Sequence, residues 1–357
     1  MPYATYINKQ INIPYLLKIG YGKTAKVGKY LIDKDLPNIA LFFGEGIETM
    51  LGETLYKGFA EQGIKIIHKQ VVTDINIEEI NQVAFSLPPE TSALVGIGGG
   101  KALDYAKYAA NLLRLPYISM PTSTSNDGFC SPTSSLLVGG KRTTVKSAIP
   151  FGVVVDLDII KGAPKICFYS GLGDMISKVT ALVDWKEAAL RGQARYNDFA
   201  SMMSYNSLDL LFLKHSADIE APEFQRSLTN SLLTSGIAME IAGTSRPASG
   251  SEHLISHALD KISQKPKMHG LQVGVATYLC ALLQNNNETE GVKNFLTTTG
   301  FFDFVKQDPF TKDEFIKALE IAPTIKNNYY TVLSEPDSFD RAVLLVEKNK
   351  ILRELIK

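Results

Sequence analysis

A chain of 357 residues is long for one core and sets the expectation of two domains. Its 37 basic and 37 acidic residues balance, so no net field draws it to nucleic acid or an anionic membrane, and 45% hydrophobic with 21% charged residues suits an ordinary globular protein. Three scattered cysteines, Cys130, Cys167 and Cys280, with no CxxC pair, exclude a cysteine zinc cage or disulfide framework and suit a reducing compartment.

The first stretch, "MPYATYINKQINIPY", lacks the apolar core of a signal peptide, and no run of 18 apolar residues occurs. The expected location is therefore the cytoplasm, without membrane insertion. Short apolar runs follow at 39–44 ("IALFFG"), 64–71 ("IKIIHKQV"), 92–100 ("SALVGIGGG"), 116–122 ("PYISMPT") and 151–160 ("FGVVVDLDII"), separated by stretches of helical pattern. Strands apolar on both faces and alternating with helices predict a doubly wound, mostly parallel sheet, with ligands at the carboxyl ends of its strands. Past Gly162-Ala163-Pro164 the pattern turns helical: 172–192, 199–216, 223–243, 251–263, 270–286 and several shorter runs near the end. The expected division is an α/β dinucleotide-binding domain over 1–164 and an all-α domain over 165–357, with a small-molecule cleft between them.

Two loops stand at predicted strand ends. "GIGGGKALD" (96–104) joins strand to helix, and its glycines Gly98, Gly99 and Gly100 would let a phosphate approach backbone N–H groups at a helix N-terminus. It matches neither the P-loop spacing nor GxGxxG, and a tight turn without a ligand is the competing reading. "PTSTSNDGFCSP" (121–132) offers hydroxyls and an Asn, which also make good turn chemistry. Together, on adjacent strand ends, the loops favour a dinucleotide.

Three of the five histidines fall in "SEHLISHALDKISQKPKMHG" (251–270). His253 and His257, four apart, share one helix face, and His269 lies 16 residues past His253. The order is not HExxH, so zincin chemistry is not indicated. In "SGLGDMISKVTALVDW" (170–185), Asp174 is read in the first turn of a helix, where the dipole favours an acid. With His253 and His269 it would complete a three-ligand N/O site that keeps an open position.

The segments "GGGKALDYAK", "PTSTSNDGFCSP", "SGLGDMISKVTALVDW", "SGSEHLISHALD" and "HGLQVGV" occur in this order between about residues 92 and 276. In them the chain resembles the sn-glycerol-1-phosphate dehydrogenases, a family of the iron-containing alcohol dehydrogenase, glycerol dehydrogenase and 3-dehydroquinate synthase superfamily. The resemblance implies a divalent metal on Asp174, His253 and His269, zinc in most relatives and iron or nickel in some. It implies NAD or NADP on Gly100, Lys101, Asp104, Thr122, Ser123, Thr124, Ser125 and Ser131, and substrate against Asp127 and His257. Leu271 departs from the family, whose members generally carry Glu after the His-Gly pair. Gly44 ends the strand at which an NAD-selective enzyme carries an acid, and Glu45 beside it leaves NAD versus NADP open.

The implied reaction is reduction of dihydroxyacetone phosphate. The metal would act as Lewis acid, the nicotinamide would supply hydride, His257 or a water the proton, and Asp127 an anchor for a hydroxyl. For the phosphate, Arg142, Lys146 and Lys178 are cations near the matching segments. A solvated loop competes for the first two, and an i,i+4 pair with Asp174 competes for Lys178. The resemblance also implies a homo-oligomer. Two other readings of the same residues stand: a glycerol dehydrogenase acting on a free polyol, and a dehydroquinate synthase-like carbon–oxygen lyase.

Overall fold

The computed structural model describes residues 11–212 and 218–357. Residues 1–10, at the head of the stretch read for a leader, and residues 213–216 of the expected helix 199–216 lie outside the described residues.

Among the described residues eight strands form: β1 (Leu16–Gly20), β2 (Asn38–Gly44), β3 (Lys65–Val72), β4 (Ala93–Gly98), β5 (Tyr117–Pro121), β6 (Thr133–Val138), β7 (Lys141–Lys146) and β8 (Gly152–Asp156). Six make one all-parallel sheet in the order β1-β8-β5-β4-β2-β3. Interleaved are α1 (Val27–Ile32), α2 (Ile47–Glu61), α3 (Ile77–Ser86), α4 (Gly100–Leu113) and α5 (Leu157–Lys161). Successive side chains of β2 point to opposite faces. Leu41 and Phe43 pack under α1 and α2 with Val27, Leu31, Leu55 and Phe59, whereas Ala40 and Phe42 meet α3 and α4 through Ile80, Tyr105 and Ala106. Burial on both faces explains the unbroken apolar run "IALFF".

The expected strand 151–160 is shorter. Asp156 ends β8, and its carboxylate accepts from the Asp158 N–H and caps α5. Two features lay outside the sequence reading: the edge strand β1, and the antiparallel hairpin β6–β7 turning through Gly139 and Gly140, both at positive φ as a type I′ turn demands.

Beyond Pro164 the chain forms α6 (Lys165–Ile176), α7 (Lys178–Leu190), α8 (Asp198–Phe212), α9 (Pro222–Ala242), α10 (Ser251–Ile262), α11 (His269–Leu283), α12 (Thr289–Thr298), α13 (Phe301–Lys306), α14 (Lys312–Ile321), α15 (Ser338–Lys348) and α16 (Lys350–Leu355). The expected helix 172–192 starts seven residues earlier and is divided at Ser177, which keeps right-handed helical angles. Residues 165–190 are long and apolar enough to cross a membrane, yet most of that apolar window is buried inside the protein, as in a core helix. One apolar cluster runs from the sheet side (Leu103, Phe129, Val153, Val155) into the helices (Leu172, Met175, Leu254, Leu279), so the helical part is seated on the carboxyl edge of the sheet.

Candidate metal and dinucleotide site

Asp174 lies in the last turn of α6, not in a first turn. There the helix dipole opposes an acid, so the carboxylate needs partners of its own. It has them. The Asp127 N–H donates to its Oδ2 at 2.9 Å, and the Lys178 ammonium lies 3.9 Å from the same oxygen while donating to the Asp174 carbonyl at 2.7 Å. Burial pushes the carboxyl pKa up, but Lys178 and His253 outweigh it and hold the group well below the usual carboxylate range.

The glycines around Asp174 serve close approach. A Cβ on Gly173 would stand 1.8 Å from the Gly270 carbonyl oxygen, one on Gly270 1.7 Å from that of Ser170, and one on Gly171 2.0 Å from that of Thr124. At this crossing α6 and α11 touch backbone to backbone. Asp174 follows one glycine and His269 precedes the other, so the contact that admits no side chain brings carboxylate and imidazole together.

The third member comes from α10. The Nε2 atoms of His253 and His269 face Asp174 Oδ1 at 3.4 and 3.8 Å, and one ligand atom from each of the three residues fits within 4.8 Å. The remaining nitrogens are occupied. His253 Nδ1 donates to Glu252 Oε1 at 2.9 Å, and His269 Nδ1 pairs with Ser256 Oγ at 3.1 Å. Glu252 is fully buried, yet its pKa is lowered because His253, Thr180 Oγ1 (2.6 Å) and the Gly250 N–H (2.5 Å) favour the anion over the burial cost. An ionised Glu252 keeps the His253 proton on Nδ1 and leaves Nε2 for a metal, the carboxylate–histidine pairing of metal sites. Burial, then the charge of His253, lowers His269 to about 4, so its imidazole is neutral at pH 7. Leu271 is packed into the apolar cluster; the carboxylate behind the candidate ligands is Glu252.

His257 stands on the same face of α10, its ring 5.9 Å from that of His269. Burial, together with the basic groups His269, Lys326, His253 and Arg142 around it, pushes its pKa well down and keeps it neutral. Asp127, in the short 3-10 turn Asp127–Cys130, accepts from Lys178 Nζ at 3.1 Å and from Ser235 Oγ on α9 at 2.7 Å. Lys178 is completely buried between Asp127 and Asp174. It is therefore more than the simple i,i+4 partner weighed above, and its charge is consumed inside the site. Arg142 reaches Ser135 Oγ across the hairpin, and Lys146 is exposed at the end of β7.

The glycine loop lies where the sheet order reverses, between β4, whose chain continues to β5, and β2, whose chain continues to β3. Gly98 has φ +144°, and a Cβ there would come 3.1 Å from the Gly44 backbone nitrogen. Gly99 and Gly100 face open space at the N-terminus of α4, the cradle a phosphate needs. Lys101 is exposed, its ammonium on the Thr73 carbonyl. The Thr122 N–H bonds to the Gly98 carbonyl, linking the two loops. Ser123 lies on the Cys167 thiol, Thr124 is buried with an unpaired hydroxyl, and the Ser125 carbonyl accepts from Ser170. Asp104 and Ser131 are turned inward instead. Asp104 accepts from the Ser135 N–H and pairs with Lys107 at 3.1 Å, and Ser131 bonds to Gly128 and Thr133. Lys107, absent from the sequence reading, is the hub: its buried ammonium donates to the carbonyls of Gly128 (2.7 Å) and Thr133 (2.5 Å) and shapes the second loop.

A family model described as iron-containing alcohol dehydrogenase matches residues 18–164. Among curated proteins, glycerol-1-phosphate dehydrogenase [NAD(P)+] of Metallosphaera sedula is 35% identical over 355 residues, 96% of this chain and 97% of that one. The enzyme of that name from Methanococcoides burtonii is 32% identical over 350 residues with the same coverage. Among solved structures, glycerol dehydrogenase from Schizosaccharomyces pombe superposes with a TM-score of 0.78 at 18% identity, covering 97% of this chain and 91% of that one. Sulfoacetaldehyde reductase from Bifidobacterium kashiwanohense, in complex with NAD+, gives 0.71 at 17% identity over 95% and 98%. These two show the shared fold.

Proposed function

Because the chain belongs to the glycerol-1-phosphate dehydrogenase family, we propose that it is a metal-dependent, NAD(P)-linked oxidoreductase that reduces dihydroxyacetone phosphate to sn-glycerol-1-phosphate. The observation that carries the reading is the meeting of Asp174, His253 and His269 within 4.8 Å, with Nδ1 of each histidine already engaged. One carboxylate and two imidazoles form a donor set that fits a divalent ion, zinc first among the choices. Residues 1–164 would hold the dinucleotide and 165–357 the metal and substrate.

The bound metal would lend Lewis acidity to the ketone oxygen and the nicotinamide would supply hydride. The chain's residues do the rest. Glu252 and Ser256 aim the imidazoles, and Lys178 offsets the two aspartates, so an entering anion meets less repulsion. Asp127, fixed by Lys178 and Ser235, is rigid enough to orient a substrate hydroxyl. Neutral His257 offers a ring N–H as a hydrogen-bond donor rather than acting as a charged acid, which favours a water as the final proton source. Gly99 and Gly100 leave room for a pyrophosphate at the α4 N-terminus. Glu45, exposed beyond the end of β2, is our candidate for the ribose 2′-hydroxyl.

The test is NADH and NADPH oxidation by the zinc-reconstituted protein, with dihydroxyacetone phosphate and dihydroxyacetone in parallel. A strong preference for the phosphorylated ketone upholds the proposal. Activity on dihydroxyacetone alone moves the chain to free polyols, and silence on both overturns a reductase. Asp174→Ala and His269→Ala should lose metal and turnover together; full metal content in both would remove the metal assignment.

A further inference from the structure

Phosphorylated substrate carries a dianion that must end near the reacting carbon, and the cations expected to receive it do not suffice. Lys178 is buried against Asp127 and Asp174, and Lys146 stands exposed on the hairpin. A different pair lies beside the histidines. Lys326 follows a 3-10 turn, Ala322–Thr324, that packs on α10, and its ammonium sits 4.6 Å over the Tyr329 ring. The Arg246 guanidinium covers the same ring at 3.6 Å and donates to the Tyr330 carbonyl at 2.6 Å. Tyr329 is itself pinned, its hydroxyl donating at 2.5 Å to the Ser249 carbonyl, just ahead of α10.

Among the described residues Lys326 has no hydrogen bond or ion pair, although it is half-buried. Burial and the neighbouring Arg246 lower its pKa to about 8, with Glu252 pulling the other way. A half-buried ammonium without a counter-charge, held on a rigid aromatic, is what a fixed anion site requires. The charges of Lys326 and of Arg142, the latter from the sheet side, both bear on His257. Both charges therefore act on the histidine that stands beside His269.

Resting on the reductase reading above, we propose that Lys326 binds the phosphate group of the substrate, with Arg246 positioning it through Tyr329 and Arg142 facing it from the β6–β7 hairpin. The subsite would set the choice between phosphorylated and free ketone.

The experiment compares wild type, Lys326→Met and Lys326→Arg as zinc-loaded enzymes. In Lys326→Met the ratio of kcat/KM for dihydroxyacetone phosphate to that for dihydroxyacetone should fall roughly ten- to hundredfold, the worth of one hydrogen bond to a charged group. The loss should appear in KM, and Lys326→Arg should recover part of it. Inorganic phosphate should compete with dihydroxyacetone phosphate, not with NADH, and should compete more weakly in Lys326→Met. An unchanged ratio with undiminished phosphate competition overturns the subsite and leaves the reductase standing. Were neither ketone reduced, calorimetric titration with inorganic phosphate would decide the subsite alone: binding lost in Lys326→Met upholds it, binding retained overturns it.

Discussion

Gly173→Ala is the substitution that most directly tests how the three candidate metal ligands are assembled. The added methyl would sit 1.8 Å from the Gly270 carbonyl oxygen and 3.1 Å from the Gly274 nitrogen, where ordinary contacts begin at 3.4 Å. Both obstacles are backbone, so no side chain can swing aside, and α6 and α11 must part by roughly 1.5 Å at their crossing. Overpacking costs about 1–3 kcal/mol, and a backbone clash belongs at the upper end. For 357 residues, about 3 kcal/mol lowers Tm by about 4 °C. The same displacement separates Asp174 Oδ1 from His269 Nε2, now 3.8 Å apart, and should weaken zinc binding by roughly ten- to hundredfold, as loss of ligand orientation does. Calorimetry on metal-free protein reads the first effect and competition with a chromophoric chelator the second. Gly162→Ala is the control, since its Cβ would meet nothing closer than 3.5 Å. A Gly173→Ala protein that melts with wild type and holds zinc as tightly would refute the claim that this crossing sets the ligand geometry.

Glu252→Gln removes the charge behind His253 while keeping the side chain's shape, and zinc affinity should drop about tenfold, measured by chelator competition; unchanged affinity would mean that Glu252 serves packing alone. Lys107→Met leaves the largely buried Asp104 without its cation and two carbonyls without their donor, a loss of about 3–5 kcal/mol in urea unfolding, and a loss below about 1 kcal/mol would show that the loop holds itself. The protonated form of Lys326 is the one that attracts a phosphate, so the kcat/KM preference for phosphorylated over free ketone should decline as pH rises through about 8. Lys326→Arg, which stays charged, should remove that inflection, and its persistence there would assign the titration to another group.

Part of the fold was legible because its signals are local. β2, β4, β5 and β8 read as apolar on both faces because helices cover both faces, and the change of period near Pro164 marks where the sheet ends. The hairpin is hard to see in the sequence although Gly139-Gly140 is a turn signal, because "TSSLLV" and "KRTTVK" are too polar to read as strands. Asp174, His253 and His269 could be picked out because histidine is scarce and their spacing is distinctive. Glu252 could not be read as the partner of His253: adjacent residues on a helix do not face each other, and the contact depends on a rotamer fixed by Thr180 and Gly250. Lys326 and Arg246 lie 80 positions apart and meet only on the ring of Tyr329.

The glycines show the limit most clearly. Gly171 and Gly173 stand just ahead of Asp174, inside a helix that begins at Lys165. A glycine can mean a turn, a freed backbone or a missing side chain, and its neighbours in sequence do not say which. At Gly173 the answer is written on another helix, in the carbonyl of Gly270. Any relative that keeps the three ligands but carries alanine at this crossing would need a wider α6–α11 spacing, and with it a different reach from carboxylate to imidazole. The geometry of the candidate site is thus set by an atom that is not there, as much as by the three side chains that meet at it.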